Sequence, residues 1–137
     1  IGAEAFCPWL AALKDDIEPD YISVAYGTNH WHRSSSEEFR AICEEFYDKL
    51  VTNYPNALVF ALTPIWRKDR TDITRFESFE EIGEIIADVV KKYDNVTCIS
   101  GRNFVPEDET LFSDSYLHPN DAGFKYYSEG VKKAVTE

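Results

Sequence analysis

Residues 20–31, DYISVAYGTNHW, decide how the chain is read. Tyr21 to Tyr26 is a short run rich in aromatic and apolar side chains, and Gly27 closes it. Such a run, bounded by glycine, predicts a buried strand over 20–27. Two runs of the same kind follow, ALVFALTP at 57–64 and NVTCIS at 95–100. All three are continuous rather than alternating, the pattern of a parallel sheet covered on both faces.

Helical segments separate the strands. PWLAALKDDI at 8–17 places Trp9, Leu10, Leu13 and Ile17 on one side, with Pro8 in the first turn, and predicts a helix. After the first strand, Ser35 and Glu38 have capping-box spacing, and Phe39, Ile42, Cys43, Phe46, Leu50 and Val51 recur at three and four. A second box, Ser78 with Glu81, opens a stripe of Phe79, Ile82, Ile85, Ile86, Val89 and Val90. Asn120 or Asp121 caps a last helix running to about Val135. The order α, β, α, β, α, β, α with right-handed crossovers predicts a doubly wound α/β sandwich, and residues 1–137 read as one domain.

The formal net charge of −11 argues against nucleic acid as a partner, because phosphate binding needs a basic surface. No apolar run approaches the roughly 18 residues of a membrane span. Cys7, Cys43 and Cys98 have no ligand-like spacing and read as reduced thiols, which favours a reducing, cytoplasmic setting. The chain has no methionine, so we expect it to begin inside a longer protein.

In a sheet of this kind the ligand site lies beyond the carboxyl ends of the strands. The first strand delivers YGTNHWHR, the second TPIWRKDR, and the third SGRN and then SDSYLHPND. Unusual polar and aromatic residues therefore gather at one edge. Asn29 is either an oxyanion donor or a turn cap. His118, stiffened by Pro119 and with Asp114 four residues upstream, is either a general base or a surface histidine. Trp31, Trp66 and His30 are candidate pocket walls. His30 and His32 form an H-x-H pair, yet nothing requires a metal, and we expect none and no cofactor. Arg67, Arg70 and Arg102 read most simply as partners of the chain's own carboxylates.

VAYGTNHW and DSYLHPNDAGF together resemble the third and fifth sequence blocks of the SGNH, or GDSL-type, hydrolases. That resemblance implies a flavodoxin-like three-layer α/β/α sandwich, here with about three strands and four helices, and an esterase, lipase or acylhydrolase activity on a small ester such as an acylated sugar or lipid. It implies that His118 is the base, Asp114 its orienting acid and Asn29 an oxyanion donor. Gly2 stands where a second donor, the backbone N–H of the family's second block, is expected.

The chain departs from the pattern in three places. His30 follows Asn29 where the family has aspartate. Asp114 precedes His118 by four residues where the family has three, and Ser115 occupies the usual place. Gly-Asp-Ser, the block that carries the nucleophile, is absent. We therefore expect the serine upstream of Ile1, little activity from this chain alone, and self-association through the edge strand at 20–26. The competing reading is a non-catalytic flavodoxin-like ligand-binding module.

Overall fold

Strand β1, Tyr21–Val24, lies parallel to β2, Leu58–Leu62, and β2 lies parallel to β3, Val96–Ile99. The register sets Val24 beside Ala61 and Ala61 beside Cys98. The computed structural model describes residues 7–136. Among them the sheet order is β1-β2-β3, so β1 is an edge. Among the described residues there are four α-helices: α1, Pro8–Ala11, precedes β1; α2, Ser36–Asn53, and α3, Glu80–Val90, connect the strands; and α4, Asp121–Thr136, follows β3. The α/β parallel-sheet fold expected from the sequence is the fold observed.

Side chains alternate across a strand, so each strand has two different faces. Ile22, Val24, Val59, Ala61, Val96 and Cys98 share one face and belong to the main core, with Phe39, Cys43, Phe46 and Tyr47 of α2 and Ile82, Ile85, Ile86 and Val89 of α3. The other face carries Tyr21, Leu58 and Phe60. Tyr21 is 67% exposed and Leu58 51%, and the Tyr21 ring stacks on Phe60 at 6.3 Å. A second, smaller core joins Trp66, Val105 and Phe112 with Ile65, Phe104, Leu111 and Tyr127. It fastens the strand-end loops to α4.

Helix α2 starts as its sequence predicts. Glu38 N donates to Ser35 Oγ at 3.2 Å, and Ser35 N donates back to the Glu38 carboxylate at 2.8 Å. Helix α3 is offset from the expected box. Glu81 N donates to Ser78 Oγ at 3.3 Å, but the Glu81 carboxylate accepts from Glu77 N at 2.7 Å. The expected helix over 8–17 is much shorter, because α1 stops at Ala11. Only Ala11 of this helix is buried, and Trp9, Leu13 and Ile17 are exposed, so no packed face supports further turns. Asp15 Oδ1 then accepts from Ile17 N at 2.9 Å, a local bond that competes with helix.

The strand expected over 20–27 stops at Val24, and Gly27 turns the chain for a steric reason. Its φ is 122°, and a Cβ there would meet Ile82 Cγ2 at 3.0 Å. The chain turns at once into a 3₁₀ turn, Thr28–His30. Among the described residues, no helix is long and apolar enough to cross a membrane.

Candidate active site

Three loops leave the carboxyl ends of the parallel strands: 25–35 after β1, 63–79 after β2 and 100–120 after β3. The last of these folds into a small hairpin. Phe112 and Pro119 form an isolated antiparallel bridge, and Ser113 N donates to His118 O at 2.7 Å. Asp114 sits inside the hairpin. Its Oδ1 accepts from the backbone N–H of Tyr116 (2.9 Å), Leu117 (2.8 Å) and His118 (3.1 Å). Its Oδ2 lies 2.6 Å from His118 Nδ1.

The hairpin explains how a four-residue spacing still closes the pair. Ser115 adopts φ 55°, the left-handed region, and turns the chain between the two. The Leu117 amide, the imidazole and the other two amides together hold the Asp114 carboxyl well below the usual carboxylate range. Asp114 is thus held as a carboxylate anion beside the imidazole. The His118 side chain is 73% exposed, and its Nε2 has no hydrogen-bond partner among the described residues. A charged acceptor on Nδ1 fixes the tautomer that leaves Nε2 as the basic nitrogen.

Asn29 occupies the 3₁₀ turn after β1 and is half-buried. Its neighbours differ from expectation. Trp31 is 1% exposed and packs against Phe76 and Phe79, with Nε1 donating to Asp69 O at 2.9 Å. It is a core residue and not a pocket wall. His30 is also buried, its ring 4.9 Å from Phe39 and its Nδ1 2.6 Å from Ser34 Oγ. Burial, and then the charge of Arg33, push its pKa down to about 4. His30 therefore faces the core as a neutral ring, filling space that a charged residue could not. Trp66 lines a cavity of about 410 Å³ with Phe79, Arg70, Ser100 and Arg102, a lining that includes neither Asn29 nor His118. Gly2 lies outside the described residues.

Arg67 pairs with one of the chain's own carboxylates, as expected; what the sequence reading missed is Asp69 as that partner and the burial of the pair. Both are buried, Arg67 at 5% exposure and Asp69 at 7%. Arg67 grips the Asp69 carboxylate with Nε and Nη2, the latter at 2.7 Å. Burial alone would raise the Asp69 carboxyl, but hydrogen bonds from Arg67, Tyr116 and His32 outweigh it and hold the group well below the ordinary range. His32, Asp69 and Asp72 form the one cluster of metal-ligating type among the described residues. Asp69 already accepts from Arg67, so a cation there would have to displace a guanidinium.

Comparisons with known proteins bear on the family and the fold. The chain matches the GDSL-like Lipase/Acylhydrolase family over residues 6–126. Among solved structures it is similar to the salicylyl-acyltransferase SsfX3 from a tetracycline biosynthetic pathway, with TM-score 0.77 and 20% identity over 96% of this chain and 41% of that one. It is also similar to a GDSL-like lipase from Bacteroides ovatus ATCC 8483, with TM-score 0.76 and 22% identity over 96% of this chain and 39% of that one. A family two carbohydrate esterase from Clostridium thermocellum, solved with cellohexaose, gives TM-score 0.61 and 19% identity over 86% of this chain and 35% of that one. The chain spans less than half the length of each. No curated protein matches it by sequence. At such identities the structural likeness shows the fold, while the family match covers nearly the whole sequence and takes in both the Gly27–Asn29 turn and the Asp114–His118 pair: the chain belongs to the GDSL-like lipase/acylhydrolase family.

Proposed function

We propose that this chain carries the base and an oxyanion donor of a serine ester hydrolase. The observation that carries this reading is the Asp114–His118 pair, 2.6 Å apart, on the hairpin at the carboxyl end of the sheet. The nucleophile is a serine outside residues 1–137, since no Gly-Asp-Ser occurs among them. Its Oγ attacks the ester carbonyl carbon, and its proton passes to His118 Nε2. The tetrahedral intermediate collapses, the bond to the alcohol breaks, and the alcohol leaves with that proton. Water then repeats the sequence through the same base and releases the acid. Asn29 donates its side-chain amide to the oxyanion, with Gly2 and the serine N–H as further donors.

The substrate class that fits is a small ester, an acylated sugar or a lipid-like ester. A carbohydrate esterase among the similar structures points the same way.

The test is hydrolysis of p-nitrophenyl acetate and of acetylated sugars by the full-length protein. His118→Ala is expected to lower kcat by about 10³-fold or more, the usual cost of losing a triad member. The chain of residues 1–137 alone is expected to show little turnover. Turnover that survives His118→Ala overturns the assignment. Ligand binding by the full-length protein without hydrolysis would favour a non-catalytic module.

A further inference from the structure

A buried ion pair is in itself weak evidence for stability, because desolvation offsets the attraction. What sets Arg67–Asp69 apart is where the remaining hydrogen-bonding capacity goes. Arg67 Nη1 donates to Thr28 O at 2.8 Å and to Thr28 Oγ1 at 3.2 Å. Thr28 directly precedes Asn29. Asp69 Oδ2 accepts from the Tyr116 hydroxyl, and Tyr116 lies between Asp114 and His118. Lys68 N adds a backbone bond to Tyr116 O at 3.0 Å. Asp69 also holds the Asn29 side of the site a second time, through His32 Nε2 at 2.7 Å and through Trp31 Nε1 on its carbonyl.

Residues 67–69 thus bond at once to the loop of the oxyanion donor and to the hairpin of the base. Those loops are far apart in sequence, and each contains the residue whose placement matters. Arg67 further lies over the Tyr116 ring, 5.9 Å from its centroid, and over Phe79 at 6.0 Å. The guanidinium is therefore fixed by four hydrogen bonds and two ring contacts rather than by one flexible contact.

We propose that Arg67 and Asp69 are positioning residues that set the separation of Asn29 from His118, with Tyr116 as the link to the base. This rests on the esterase reading. Neither residue touches the reacting atoms. They act by holding two loops in one register, and a misplacement of about 1 Å in such a site costs on the order of 10²-fold in rate.

The experiment uses the full-length protein with Tyr116→Phe, which removes one hydroxyl from a partly exposed side chain, and Arg67→Lys, which keeps the charge but not the planar fork. Both are expected to lower kcat for p-nitrophenyl acetate by about tenfold or more with KM changed less than about twofold, the signature of a lost transition-state arrangement. Lysine is expected not to rescue. The second readout is the Asn29 side-chain amide signal in an NMR spectrum, which is expected to move in Tyr116→Phe. Hydrolysis abolished by His118→Ala but kept within about twofold by both variants overturns the positioning role and leaves the esterase reading standing. If the full-length protein hydrolyses no ester, that reading fails, and the amide signal alone then decides: a static Asn29 signal overturns the coupling of the two loops.

Discussion

His118 and its acid lie within one hairpin, so their pairing survives any motion of that hairpin as a body. His30 has the opposite character. It is fixed by the core, and its neutral state is linked to stability. The unfolded imidazole titrates near 6.5, whereas burial and Arg33 set the folded value at about 4. Between those values the unfolded chain binds a proton that the folded chain does not. The contribution of neutral His30 is therefore complete above pH 6.5 and is lost progressively as the pH falls towards 4. Comparing urea midpoints at pH 7.5 and 5.5, we expect the wild type to lose about 1 kcal/mol more than His30→Gln. Equal losses in the two proteins would contradict the burial of a neutral ring.

At the scale of elements, helix α2 is anchored by a reciprocal cap, and Ser35→Ala is expected to cost about 1 kcal/mol, read as a lower denaturant midpoint. An unchanged midpoint would mean that the cap contributes nothing. This element was legible because its signals are local: a cap, a box partner three residues on, and a long apolar period. The three strands were legible for the same reason. The helix expected over 8–17 failed because a period of apolar residues forms a helix only where something packs on it, and Trp9, Leu13 and Ile17 meet too little. The site divides along the same line. Asp114, His118 and Asn29 stand in short patterns whose chemistry can be read in order. The Arg67–Asp69 link cannot, since its partners Thr28 and Tyr116 are 39 and 47 residues away, and arginine beside acid is ordinary on an acidic surface. Trp31 misled because an aromatic residue after a strand looks the same in sequence whether it lines a mouth or fills a core.

For the whole molecule, the sheet is what most affects solution behaviour. β1 has one strand neighbour among the described residues, and the face carrying Tyr21 and Leu58 is open. An unpaired edge beside exposed apolar side chains promotes pairing with another chain. We expect residues 1–137 to sediment as a concentration-dependent dimer or larger species, and a strict monomer across the accessible range would argue against association through 20–26. The left-handed Ser115 has a consequence of another kind. A single residue of reversed handedness turns the chain, so that a carboxylate and an imidazole four residues apart meet. Linear spacing is then a poor ruler for such pairs. Counting turns rather than residues would find them in sequences where a fixed interval between acid and histidine finds nothing.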